Sequence, residues 1–271
     1  MRPTRGPVWT REEHVLAFNL YCKIPFGGIH LSNPKVIELS EILGRSAGAV
    51  SYKLANFSRL DPTLQARGIK GMPHGAKGEQ EIWNEFRSDP EGLAFESERL
   101  LAERTGRNLI EVAGLSEEEL PREGKDRQQI VRIRVNQQFF RRAVFAAYKA
   151  RCCITGLQTR QLLVASHIIP WSVDHSNRVN PSNGLCLNAL HDRAFDRGLM
   201  IIDSNFRLWF ADSLKTHHDE DAAALDWFLQ FEGQMILLPD KFKPAPEFLA
   251  AHRRTSMSLE TFTVASDGVL C

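Results

Sequence analysis

The sequence contains no apolar run approaching the ~20 residues that a bilayer-spanning helix needs, so no membrane helix is expected. It is also poor in cysteine. The five present, Cys22, Cys152, Cys153, Cys186 and Cys271, are odd in number and scattered. The basic opening Met1-Arg2-Pro3-Thr4-Arg5-Gly6-Pro7 is not followed by an apolar segment, so no secretory signal is expected. Together these point to reduced thiols in a cytoplasmic protein rather than to a disulfide framework. No internal repeat and no low-complexity tract is visible. Nor is there a strong net charge: 34 Lys and Arg against 33 Asp and Glu leave a formal +1. That balance argues against indiscriminate binding to polyanions, which a strongly basic surface would favour.

What is present is ordinary in bulk and uneven in detail. Hydrophobic content of 43% and charged content of 25% belong to a folded globular chain and exclude global disorder. A length of 271 residues leaves room for one large domain or two smaller ones. Pattern divides the chain into three regions. Residues 1–104 read as helical, with breaks at Pro25, Gly27-Gly28, Pro34, Gly44 and Asp61-Pro62. Residues 105–126 are polar, with Glu117-Glu118-Glu119 and Pro121, and read as a linker. Residues 127–271 are mixed, so the expected class is α+β: a helical N-terminal domain, then an α+β domain.

Two features of the first 151 residues bear on function. The apolar-periodic segment from Val36 to Leu43 ends at Gly44 and is followed by Arg45, Ser46 as a possible N-cap, and a small-residue helix through Leu54. This outlines a helix-turn-helix, in which Arg45, Ser46, Gly48, Ser51, Tyr52 and Lys53 would face DNA. An ordinary helical hairpin fits the same outline, and both readings stay open. The basic loop Arg67-Gly68-Ile69-Lys70-Gly71-Met72 would add backbone and cationic contacts to phosphate. From Arg127 to Arg151 there are seven basic residues, including Arg141 and Arg142, and no Asp or Glu. A solvated helix face explains many such runs; the absence of acidic partners favours a surface that meets phosphate.

The densest chemical signal lies between Cys152 and Leu199. Leu162-Leu163-Val164-Ala165-Ser166 reads as a short strand that ends on His167, and Pro170 stops it. Asn180-Pro181-Ser182-Asn183-Gly184 reads as a turn. Leu185 to Asp196 reads as a short strand or turn entering a helix, and Met200–Asp203 with Arg207–Phe210 as a hairpin. The order His167, Asn183, His191 in this strand-turn-helix frame resembles the HNH nuclease signature. The phrases Ser166-His167-Ile168-Ile169-Pro170, Asn183-Gly184-Leu185-Cys186-Leu187, Leu190-His191 and Phe195-Asp196-Arg197-Gly198 resemble a bacterial restriction-type subgroup of that family. So does the lead-in from Arg134 to Gly156, and the likeness covers roughly residues 124–254.

The resemblance implies a ββα-metal fold and a phosphodiester hydrolase acting on DNA, in restriction or phage defence. It implies His167 as general base, a role suited to an imidazole near neutral pH. It implies a divalent cation, Mg²⁺ or Mn²⁺, acting as Lewis acid, with His191 and Asn183 nearest to it. Asn183 either binds the metal or orients the base. Arg193 and Arg197 would hold phosphate. Two departures stand out. Where many family members carry a metal-binding Asp or His, this chain has Ser166, so Asp192 or Asp196 is the replacement nearest at hand. Family zinc sites use two C-x-x-C pairs, but here the matching places hold Cys152 with Thr155 and Cys186 with Ala189, so no structural zinc is expected. A single ββα centre cuts one strand, so duplex cleavage would call for a homodimer. His14, His30, His74, His175, His217, His218 and His252 carry no assigned chemistry. The alternative function is a DNA-binding regulator, or a ligand-gated effector, built on the same fold.

Overall fold

The computed structural model describes residues 7–69, 77–120, 127–216 and 222–263. Met1 to Gly6, Lys70 to Met72, His74, Pro121, His217, His218 and Cys271 therefore lie outside the described residues. The chain forms two compact units, Met1–Ala147 and Tyr148–Cys271. Among the described residues no helix is long and apolar enough to cross a membrane.

The first unit is helical: α1 (Arg11–Lys23), α2 (Pro34–Leu43), α3 (Ala47–Ser58), α4 (Pro62–Ala66), α5 (Lys77–Ser88), α6 (Pro90–Thr105), α7 (Leu109–Ala113) and α8 (Arg127–Ala147). Its centre is α1, whose run from Glu13 to Asn19 is buried on every side because α2, α3, α5, α6 and α8 all pack on it. Phe18 supplies the aromatic hub, with ring centroids 5.2 Å from Phe57, 5.9 Å from Trp83 and 4.9 Å from Phe86. Helix starts follow local chemistry. Thr10 and Glu13 form a capping box on α1, and Asn33, Asp61 and Asp89 each cap a helix whose first residue is proline. The turn between α2 and α3 uses Gly44 at φ +61°, a left-handed conformation that costs glycine nothing.

Two expectations change here. The stretch 105–126 holds α7, whose buried Ile110 and Ala113 pack on α6 and α8. Helix α8, grouped by sequence with the second region, packs within the first unit through Phe139, Phe140, Ala143 and Val144.

Cations expected on a DNA-facing surface are partly consumed by the fold. Lys53 is buried, donating to Glu79 at 2.7 Å and lying 4.9 Å from the Trp9 ring. The buried stripe Val50, Lys53, Leu54, Phe57 explains this, since that spacing faces the helix's core side. Arg45 grips the Glu13 carboxylate at 2.8 and 2.7 Å and stacks over Trp9 at 4.4 Å. Arg142 donates to the Val112 carbonyl at 3.1 Å, and Arg141 lies 4.4 Å over Phe145. Lys53 and Arg45 thus hold helices together rather than meeting phosphate. His14 is buried as well, 3.4 Å from the Lys53 amine and 4.0 Å from Glu79.

Among its described residues the second unit holds two short antiparallel strand pairs and four α-helices: β1 (Leu163–His167) with β2 (Gly184–Asn188), α9 (Ala189–Asp196), β3 (Met200–Ile202) with β4 (Leu208–Phe210), α10 (Asp212–Lys215), α11 (Ala222–Leu229) and α12 (Pro246–Met257). The β1–β2 register places Ser166 opposite Leu185 and His167 opposite Gly184. Helix α9 packs on β1, β2 and β3, giving a ββα core. The overall class is α+β, as expected.

Glu79→Ala leaves the buried Lys53 ammonium without its carboxylate and should destabilise the first unit by about 3–5 kcal/mol. Lys53→Met combined with Glu79→Leu should recover most of that loss in urea unfolding. A double variant as unstable as Glu79→Ala would show that the pair is not the source of the effect.

Candidate active site

Strand β1 carries Ser166 and His167 to its C-terminal end, and a loop spanning 168–183 returns the chain to β2. That loop is tied by side chains rather than by sheet. Asp174 accepts from the Ser176 and Asn177 amides at 3.0 and 3.2 Å. Asn180 accepts from the Ser182 amide at 3.0 Å. Asn183 is 0% exposed; its Oδ1 accepts from Ile169 N at 2.8 Å, and its Nδ2 donates to the Ile169 and Asn177 carbonyls at 3.1 and 3.3 Å. Both ends of the amide are engaged, so of its two expected roles this geometry supports bracing the loop after His167.

His167 Nε2 lies 2.8 Å from the Arg178 carbonyl, which can only accept. The proton therefore sits on Nε2 and the lone pair of the neutral ring on Nδ1. Burial pushes its pKa below the ordinary imidazole value, while the carbonyl bond acts in the other direction. The shift favours the neutral ring, the form a base needs.

Helix α9 begins at Asn188, whose Oδ1 accepts from the Leu190 and His191 amides at 3.1 and 3.0 Å. The helix has two faces. His191, Ala194 and Phe195 are buried; Arg193, Asp196 and Arg197 are exposed, and Asp192 is half-buried. His191 is 0% exposed, stacked on Phe228 at 4.5 Å and flanked by Trp227 and Phe231 at 5.6 and 5.7 Å. Its Nδ1 pairs with Asn188 at 2.8 Å, and its Nε2 has no hydrogen-bond partner among the described residues. Burial drags its pKa down to about 4. His191, expected beside the metal, is thus stacked among aromatic rings, with Nδ1 held by Asn188 and Nε2 without a hydrogen-bond partner among the described residues.

Asp192 and Asp196, four residues apart, share the other face. Burial raises the Asp192 pKa, and the Ser166 hydroxyl and Arg193 pull it back. Burial also raises Asp196, with the charge of Asp192 adding to it and Arg193 and Arg197 opposing. Ser166 Oγ is buried and closes no full hydrogen bond to a described group. Asp192 thus meets Ser166 and Arg193, and Asp196 feels the charges of Asp192, Arg193 and Arg197. Among the described residues no group of three or more His, Cys, Asp and Glu side chains gathers at metal-ligand distance. A carboxylate pair that resists holding two charges nevertheless suits a hard divalent cation, since Mg²⁺ is commonly bound through one or two carboxylates plus phosphate oxygens. Cys152, Cys153 and Cys186 are buried, and Asn188 Nδ2 donates to Cys152 Sγ at 3.7 Å.

Helix α12 supports α9 from behind. His252 lies flat on Phe195, with centroids 3.6 Å apart, and its Nε2 donates to the Phe195 carbonyl at 3.0 Å. Burial lowers its pKa to about 4. The unfolded chain takes up this proton first, so the contribution of neutral His252 is complete above about pH 6.5 and is lost as pH falls toward 4. Thermal unfolding followed across that range should show a falling midpoint, and His252→Phe should flatten part of the fall. An unchanged slope in the variant would assign the acid sensitivity elsewhere.

A comparison with curated proteins finds no match. Residues 152–203 match a family model, HNH_2, described as an HNH endonuclease. That span contains β1, β2, α9 and β3, and with them His167, Asn183 in the loop before β2, and the α9 carboxylates. The chain thus has a helical N-terminal region followed by a ββα segment that matches the HNH endonuclease model over residues 152–203.

Proposed function

We propose that the second unit hydrolyses phosphodiester bonds in DNA, with His167 as the general base, and that the protein serves in restriction or phage defence. The observation that carries this is the tautomer-fixed His167 at the end of β1, in the same ββα core whose helix α9 bears Asp192 and Asp196. Nδ1 of His167 takes the proton of the attacking water. Arg193 and Arg197, exposed on α9, hold the phosphate by charge-assisted hydrogen bonds. Asp192 and Asp196 hold Mg²⁺ or Mn²⁺, and a bound cation supplies charge stabilisation at the phosphoryl and leaving oxygens. Without it the two aspartates offset the two arginines, so the face has little net attraction for a phosphate. Asn183 keeps its place as a positioning residue, and His191 acts through the packing of α9.

The helical first unit serves recognition or sensing. At the start of α3 and along it the exposed groups are the N-cap Ser46, Gly48 and Tyr52, which could approach a groove. The second reading, a DNA-binding regulator or ligand-gated effector on the same fold, draws on the absence of a three-ligand group among the described residues.

The test is plasmid cleavage by the full chain with Mg²⁺ or Mn²⁺ and an EDTA control. Metal-dependent nicking is expected. It should fall roughly 10²- to 10⁴-fold in His167→Ala, and in Asp192→Asn with Asp196→Asn it should need far more added metal or vanish. Linear product at low turnover would indicate two centres acting together in a homodimer. A folded protein that binds plasmid and cuts none would favour the second reading.

A further inference from the structure

The carbonyl that fixes the His167 tautomer belongs to Arg178, and Arg178 is itself anchored. Its Nε donates to the Trp171 carbonyl at 2.7 Å, and its guanidinium carbon lies 5.0 Å from the centroid of the Trp171 ring. The Trp171 ring in turn meets the His167 ring edge to face, 5.6 Å away at 84°. Three contacts therefore close a circuit: His167 to the Arg178 backbone, the Arg178 side chain to Trp171, and the Trp171 ring back to His167. Next to Arg178, Val179 is fully buried and holds the strand of chain in place. This circuit is separate from the Asn183 brace, which grips the backbone of Ile169 and Asn177.

Each link has a distinct consequence. A carbonyl opposite Nε2 sets which nitrogen bears the proton, and hence which one is basic. An aromatic edge against the imidazole face sets the ring plane. An arginine that both stacks on and hydrogen-bonds to one residue loses little further freedom, because its planar head matches both contacts at once.

We propose that Trp171 and Arg178 are positioning residues for the base: the Arg178 side chain, pinned on Trp171, holds its own carbonyl against His167 and so fixes the tautomer and the plane of the ring. This rests on the nuclease reading for its catalytic consequence, while the tautomer itself can be read without any cleavage.

The experiment pairs two measurements on the full chain. Nitrogen-15 NMR of histidine-labelled protein, at a pH where the ring is neutral, should show a single Nε2–H tautomer for His167. Arg178→Ala and Trp171→Ala should each show a mixture, and Trp171→Phe, which keeps a ring, should resemble the wild type. In plasmid cleavage either alanine variant should lower kcat roughly tenfold to a hundredfold, the scale expected from a small misplacement of a catalytic group, with KM unchanged. The double variant should be no worse than the poorer single, because both break one circuit. Val173→Ala, in the same loop and exposed, should change neither measurement. An unchanged tautomer in both alanine variants overturns the proposal. So does a rise in KM with kcat and tautomer preserved, which would make Trp171 a surface that touches DNA. A shifted tautomer in a chain that never cuts plasmid would sustain the positioning role and defeat the nuclease reading instead.

Discussion

The buried amide of Asn183 is the contact on which the geometry of the second unit turns. The loop 168–183 has no sheet partner over most of its length, so its backbone polar groups must be satisfied by side chains or water. One side chain satisfies three of them: the Ile169 N–H, the Ile169 carbonyl and the Asn177 carbonyl. Each such group left unpaired in the interior costs about 1–3 kcal/mol, so this residue decides whether the loop has one conformation. An aspartate has no donor for the two carbonyls, and a leucine has nothing for any of them. Asparagine is required because its two ends are a donor and an acceptor held in one plane. With the loop closed, the Ile168 amide bonds back to the Asn183 carbonyl at 2.9 Å, and His167 leaves β1 in a fixed direction.

Helix α9 extends that constraint to the carboxylates. With only eight residues it is too short to be stable by propensity, so its orientation comes from what its buried face meets. His191 stacks on Phe228 and Phe195 on His252, both nearly coplanar at 9° and 5°. The two imidazoles are neutral because burial disfavours their charged forms, and as neutral rings they pack like other aromatics. The opposite face is thereby set, and Asp192 and Asp196 are presented together beside Ser166. The histidine that most invites a metal assignment is thus the one that packs the helix bearing the carboxylates.

The first unit shows a related use of charge. Lys53 with Glu79, and Lys23 with Glu98, are pairs enclosed by helices. Asn56 donates to Glu79 at 3.0 Å, and Asn19 donates to Glu98 at 3.0 Å and to Ser97 at 2.6 Å. Pairs of this kind add little net stability compared with apolar residues of the same size, but a misdocked helix would strand a charge. They therefore select among the ways in which α1, α3, α5 and α6 can pack. Cations are engaged even in α8, which lacks acids: Arg127 reaches Glu117 at 2.8 Å and Arg132 lies 5.4 Å over Phe95.

Much of this fold could be read from the chain because its signals are local. Gly44, Asn33-Pro34 and Asp61-Pro62 mark helix ends through backbone chemistry that depends on neighbours alone, and the strand, turn and helix between Leu163 and Asp196 follow from short-range composition. The position of Lys53 was also legible in principle, since Val50, Leu54 and Phe57 place it on the apolar face. What was not legible depends on contacts between distant residues. Nothing in the sequence near His191 says that Phe228 will stack on it. Nothing near Arg178 says that its carbonyl, rather than its charge, will face His167. A motif names residue types at a spacing, and side chains of one type can bind, brace or pack. Which of these a residue does is settled by the partners that tertiary structure brings, and for His167, Asn183 and His191 those partners are a carbonyl, a backbone and a phenyl ring.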